Sequence, residues 1–280
     1  MQLPVQSQST YYVEPWEATA GRAELAAAAR AADEIGFDYV GVCDHVAIPA
    51  EKAAAMSTTW FDTVATLGWL AGITTNVRLL SHVYVVAYRH PLVTAKAFAT
   101  LDELSGGRVV LGVGAGHVEG EFEALGIDFA ARGRLTDDAV DGIRAAFEAG
   151  VQQPAANPPI WVGGSSPAAL RRAAERGDGW LPQGTTRKEM PAAIERLHEL
   201  REKAGRADRP FMVGAIAPSL YVGEPPWDLG PGNLTGPADK LEGYLASYEE
   251  MGVDVVQVRL RSRSCEELVE QLHAFQEEVM

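Results

Sequence analysis

Histidine is the side chain that most readily takes up or releases a proton near neutral pH. Three of the six histidines in this sequence stand where a short apolar run gives way to polar residues. His45 follows Asp44 after YVGVC, His82 follows Ser81 after RLL, and His117 closes the Gly114-Ala115-Gly116-His117 exit of VVLGV. Proton transfer is the chemistry such positions suit. An Asp-His pair also suits metal ligation, but the alternating His-x-His of barrel metal sites is absent, and the reading is no metal. His198 and His273 fall in helical patterns as surface residues, and His90, just ahead of Pro91, reads as structural. No GxSxG elbow occurs, and neither Cys43 nor Cys265 sits in a nucleophile context or a metal spacing.

A second set of residues suits an anion. IWVGGSSPAAL turns an apolar run through Gly163, Gly164, Ser165 and Ser166 into a helix opened by Pro167. Glycines let backbone N–H groups approach a ligand, and a helix N-terminus favours negative charge. The same residues also suit a plain tight turn in which Ser165 or Ser166 caps the helix. Gln183, Gly184 and Thr185 follow the next apolar run, and two neighbouring late loops are a common construction for a phosphate site. In LGVGAGHVEGEF the glycines at 112, 114 and 116 do not make the G-x-G-x-x-G of a dinucleotide fold. Their alternation suits either close approach of backbone to a flat ring or a strand fitted into a crowded interior.

These residues need a scaffold that gathers them. Apolar runs at 3–6, 39–42, 78–83, 109–113, 160–162, 179–181, 212–222 and 254–259 supply strand candidates. Helical patterns at 21–34, 59–73, 91–104, 134–149, 166–176, 187–204, 236–250 and 264–278 alternate with them. Such alternation predicts parallel βαβ units, and eight units predict an α/β fold, a single (β/α)8 TIM barrel over residues 1–280. In that architecture the active site lies on the loops after the strands, where the polar residues above fall.

Length and charge bound the function. A chain of 280 residues suits one such barrel with a large core. A net charge of −14 argues against nucleic acid and against an anionic membrane surface, but not against a small phosphorylated ligand. No apolar stretch approaches the ~20 residues of a membrane span. MQLPVQSQST lacks the basic and apolar regions of a secretory signal, so a cytoplasmic location with unpaired cysteines is expected.

Taken together, GVCDHV, LLSHVYVVAYRHPLVTAKAFATLDELSGGRVVLGVGAG, EGEFEALGIDFAARGR and PPIWVGGSSPAALRRAAERGDGWLP resemble the bacterial luciferase-like monooxygenase superfamily. The resemblance is closest to its branch of oxidoreductases using the deazaflavin coenzyme F420. It implies hydride transfer between F420 and a small organic substrate, with Asp44 and His45 beside the cofactor ring and His45 handling the proton. It implies a non-proline cis peptide between Ser81 and His82 behind the ring, with Gly116 and His117 passing it. Gly163, Gly164, Ser165, Gln183, Gly184 and Thr185 would hold the phosphate, and Arg187, Lys188, Arg259 and Arg261 are candidates for the acidic tail of F420. An FMN-dependent monooxygenase, served by a separate reductase, and a catalytically silent flavin-binding barrel are the alternatives. A homodimer is the expected assembly. Relatives carry an aromatic residue where Ile48 and Pro49 stand here, which leaves the substrate open.

Overall fold

The computed structural model describes residues 1–4, 13–150 and 157–280. The strands are β1 (Tyr39–Val42), β2 (Arg78–Ser81), β3 (Tyr84–Val85), β4 (Val109–Gly114) and β5 (Ile160–Gly163). They continue with β6 (Gly179–Leu181), β7 (Met212–Ile216), β8 (Leu220–Val222), β9 (Leu234–Gly236) and β10 (Val255–Gln257). The helices are α1 (Arg22–Glu34), α2 (Ala53–Met56), α3 (Thr63–Ala71), α4 (Pro91–Ser105) and α5 (Glu119–Ala124). After these come α6 (Arg132–Ala149), α7 (Pro167–Arg176), α8 (Met190–Lys203), α9 (Ala238–Glu249) and α10 (Cys265–Glu278).

The main sheet is parallel and runs β1-β2-β4-β5-β6-β7-β10, with β3 also pairing β4. It curls: the Tyr39 hydroxyl on β1 reaches Gln257 Oε1 on β10 at 3.3 Å across the interior. The described residues thus form a curled, half-barrel parallel sheet, and the full closure expected from eight alternating units is not shown. The difference lies in two units. At the first, Gln2 bridges Gly41 in parallel and the Leu3 N–H donates to Gly41 O at 3.3 Å, while residues 5 and 6 lie outside the described residues. At the seventh, the run 212–222 divides around Pro218, which has no N–H to give a ladder. β7 stays in the main sheet and β8 leaves to pair β9.

Strand side chains alternate between two apolar bodies. Leu79, Leu111, Val113, Val162 and Val213 face the helices in the main core. Tyr39, Leu80, Val110, Trp161 and Leu181 form a separate interior cluster, against which Val83, Met212 and Val255 pack. Tyr39 and Trp161 meet edge to face there, with ring centroids 6.1 Å apart. Polar staples set the strand entries. Arg108 donates to Ala71 O, Thr74 O, Thr74 Oγ1, Val77 O and Ser105 O, and Asp33 accepts from the N–H groups of Thr75, Asn76 and Val77. Both cysteines are free thiols, and burial pushes Cys43 up to about 12. No helix among the described residues is long and apolar enough to cross a membrane.

Candidate functional site

β1 ends at Val42 and delivers Asp44 and His45 to the rim. Asp44 is buried, and both its oxygens are engaged. Oδ2 accepts from the Val85 N–H at 2.8 Å and Arg89 Nη1 at 2.5 Å; Oδ1 accepts from Arg89 Nη2 at 2.9 Å and Thr63 Oγ1 at 3.1 Å. The carboxylate therefore ties the β1 exit to β3, to the approach of α4 and to the start of α3.

His45 is differently placed. Its Nδ1 lies 2.8 Å from Glu121 Oε2, on α5, with side-chain exposures of 12% for the histidine and 1% for the glutamate. Glu121 Oε1 accepts from the N–H groups of Val46 at 2.6 Å and Ala47 at 3.0 Å, and the Tyr88 hydroxyl lies 3.3 Å from Oε2. Burial alone would raise the Glu121 carboxyl, but the hydrogen bonds from His45 and the two backbone donors outweigh it and hold the group below its ordinary value. The His45 ring packs against Trp60 with centroids 4.3 Å apart, and His117 lies edge-on at 5.9 Å. Trp60 thus supplies the aromatic neighbour that positions 48 and 49 lack. His117 is pushed below the ordinary imidazole value, by desolvation first and by His45 second.

The β2 exit differs from expectation by one residue. The non-proline cis bond joins His82 and Val83, not Ser81 and His82. Ser81 remains in the strand, its Oγ donating to Gly112 O at 2.9 Å, and the His82 N–H still donates to Val42 O at 2.7 Å. The ladder thus runs through His82 before the chain departs. His82 is 5% exposed, neither ring nitrogen has a partner among the described residues, and burial pushes it down to about 4.

The strand glycines are closely packed by their neighbours in the interior. A Cβ at Gly112 would lie 2.0 Å from the Ser81 carbonyl oxygen. At Gly114 and Gly163 it would meet the two methyls of Val83 at 2.5 and 2.6 Å, and at Gly116 it would strike Phe122 and Val85 at 2.9 Å. Val83, half-buried, is seated between the glycines of β4 and β5 and tops the interior cluster.

The loops after β5 and β6 do meet. Ser165 Oγ donates to Gln183 O at 2.7 Å and accepts from the Gln183 N–H at 3.0 Å, and Thr185 Oγ1 is 2.6 Å from it. Ser166 caps α7 by accepting from the Ala169 N–H at 3.2 Å. Gly164 and Gly184 take φ of +111° and +82°, and nothing lies within 4 Å of a Cβ at Gly184. Of the tail candidates, Arg259 is paired with Glu17 at 2.6 Å, Arg261 is paired with Glu14, and Arg187 donates to Ser247 Oγ at 2.9 Å. His90 Nδ1 caps α4, accepting from the Leu92 N–H at 3.2 Å.

The sequence profile described as luciferase-like monooxygenase matches residues 3–226. The chain belongs to the luciferase-like monooxygenase family. An uncharacterized protein of Mycobacterium tuberculosis is 28% identical to this luciferase-like chain over 88% of it and 93% of the relative. A 5,10-methylenetetrahydromethanopterin reductase of Archaeoglobus fulgidus is 30% identical over 69% of the chain and 59% of the reductase. Among solved structures, the monooxygenase RslO1 of Streptomyces bottropensis has a TM-score of 0.77 at 19% identity, covering 99% of this chain and 97% of that one. An F420-dependent secondary alcohol dehydrogenase bound to an F420-acetone adduct has a TM-score of 0.76 at 18% identity, covering 92% and 94%. Both likenesses show the fold.

Sequence reasoning missed Glu121 and Trp60. A signal for Glu121 was present: Val118, Glu121, Phe122 and Leu125 share one helical face, so a carboxylate sits in an otherwise apolar stripe.

Proposed function

We propose that this chain is an F420-dependent oxidoreductase that exchanges a hydride with a small organic substrate while His45 handles the accompanying proton. The observation that carries the reading is His45 itself, backed by a buried carboxylate at the rim of a curled parallel sheet. The residues present fit a phosphorylated, flat-ringed cofactor. Val83 caps an apolar interior cluster, the His82 ring nitrogens on the same strand exit are buried without partners among the described residues, and the Ser165 and Gln183–Thr185 loops interlock around an open turn at Gly184. In this reading Gly164, Ser165, Gln183, Gly184 and Thr185 hold the phosphate, and Val83, His82 and His117 border the ring. When bound, F420 supplies or accepts a hydride. Trp60 shields one side of His45 from water, and Asp44 holds the rim in register through Arg89.

F420 is favoured over FMN by the match to methylenetetrahydromethanopterin reductases and by the likeness to the F420-dependent alcohol dehydrogenase. The equal likeness to a Streptomyces monooxygenase favours a second reading, an FMN-dependent monooxygenase supplied by a separate reductase. Titration of purified protein with F420 and with FMN, followed by absorbance, separates them. Saturable F420 binding with weak FMN binding, and turnover lost in His45→Ala at near-unchanged cofactor affinity, is the expected result. Tight FMN binding without F420 binding selects the second reading, and binding of neither leaves a silent barrel.

A further inference from the structure

The atom at which His45 exchanges its proton follows from how its carboxylate neighbour is held. Glu121 is almost wholly buried, and every group around its two oxygens can donate. The N–H groups of Val46 and Ala47 stand at 2.6 and 3.0 Å from Oε1; His45 Nδ1 stands at 2.8 Å and the Tyr88 hydroxyl at 3.3 Å from Oε2. An ionised carboxylate only accepts, so the Nδ1 contact is an Nδ1–H donated to Glu121. No described residue hydrogen-bonds Nε2.

We propose that Glu121 is a positioning residue that locks neutral His45 in its Nδ1–H tautomer, so that the ring exchanges the catalytic proton at Nε2 alone. The geometry stands by itself; the chemistry rests on the hydride-transfer reading. In the oxidative direction the substrate C–H bond breaks with its electron pair going to oxidised deazaflavin. The proton on the adjoining oxygen or nitrogen passes to the Nε2 lone pair, and a carbon–heteroatom double bond forms. The imidazolium so made lies against the Glu121 carboxylate, which stabilises it, and the reverse reaction returns the same proton from Nε2.

Glu121→Gln makes a sharp test. An amide offers one acceptor and one donor face where the carboxylate offers two acceptors. The Val46 and Ala47 N–H groups claim the amide oxygen, which turns the NH2 toward His45 Nδ1. That nitrogen must then accept, and the proton moves to Nε2. Ring 15N NMR of histidine-labelled protein, without cofactor and with the His45 signal assigned by its loss in His45→Gln, reads the tautomer directly. Nδ1–H in the wild type and Nε2–H in Glu121→Gln are expected. In the cofactor-loaded enzyme the same variant should lose roughly 10²–10⁴-fold in kcat with KM and cofactor affinity within a few-fold. An Nε2–H tautomer in the wild type overturns the proposal whether or not the variant folds, and so does an unchanged tautomer in Glu121→Gln. Failure to bind F420 removes the proposed function but leaves the tautomer result standing.

Discussion

Asp44→Ala separates an anchor from a catalytic acid. The Asp44 side chain is 1% exposed and that of Arg89 19%, with contacts at 2.5 and 2.9 Å. Removing the carboxylate strands a guanidinium that is still held over the Tyr84 ring at 4.1 Å, and it takes the acceptor from the Val85 N–H. Breaking a buried pair by deleting one partner costs about 3–5 kcal/mol, and an orphaned buried N–H about 1–3 kcal/mol. Water reaching the exposed fifth of Arg89 offsets part of this, so we expect a loss of about 3–4 kcal/mol. At about 2–4 °C per kcal/mol for a chain of this size, that lowers Tm by roughly 6–16 °C. Asp44→Leu combined with Arg89→Met removes both charges and should recover at least half of the loss, since the penalty lies in the unpaired cation rather than in the missing pair. The assay is thermal and urea denaturation of the three proteins beside cofactor titration. A Tm for Asp44→Ala within 2 °C of wild type, with turnover abolished, would refute the anchoring argument and put the carboxylate in the chemistry.

Two further predictions concern the β2 exit. Gly114→Ala and Gly163→Ala each drive a methyl into Val83, a side chain that can be shortened, whereas Gly112→Ala meets the Ser81 carbonyl oxygen. All three should melt lower by about 1–3 kcal/mol or more, and Val83→Ala should restore much of the loss at 114 and 163 but none at 112; uniform rescue in a thermal-shift series would contradict the contacts. His82, buried neutral with its value near 4, lies below the ~6.5 of an unfolded histidine. Below pH 6.5 the unfolded chain binds a proton that the folded one refuses, so stability falls with pH, by about 3 kcal/mol in all on reaching pH 4. His82→Leu removes this component, and urea midpoints of the two proteins should diverge only below pH 6.5. Parallel curves from pH 8 to 4 would show that His82 protonates freely in the fold.

The helices of the eight repeating units and most strands were legible because each unit carries its own periodicity and its own stop, such as Gly36 after α1, with φ +85°, and Pro167 opening α7, whereas the short α2 and α5 were not foreseen. What escaped were features fixed by partners distant in sequence. Glu121 meets His45 across 76 residues, and although its place in an apolar stripe marks it for burial, nothing local names His45 as its partner. Gly114 and Gly163 look like invitations to a ligand, yet their space is taken by Val83, a residue of a third strand exit. The cis bond lies one position later than the resemblance implied, at His82–Val83, and the strand hydrogen bonding continues through the His82 N–H.

The rim also constrains how an anion would be held. Arg259 and Arg261, at the exit of β10, invite a reading as docking points for an acidic ligand, but each faces a glutamate of the segment ahead of α1. Glu14 precedes a 3-10 turn at Pro15–Ala18, Glu17 lies within it, and the Trp16 Nε1 in the same turn donates to Ser262 Oγ at 3.2 Å. That turn closes the β10 side of the rim with matched charge, as Asp44 with Arg89 does on the β1 side. These arginines therefore have no spare positive charge to offer. A phosphate at the β5 and β6 exits would be met instead by backbone N–H groups at the start of α7, since the hydroxyl protons of Ser165 and Thr185 are given to Gln183 O and Ser165 Oγ. Such a site selects by geometry, because short fixed dipoles favour an anion only where their N–H groups converge. On the proposed function, such convergence would let a chain carrying −14 hold a phosphorylated cofactor.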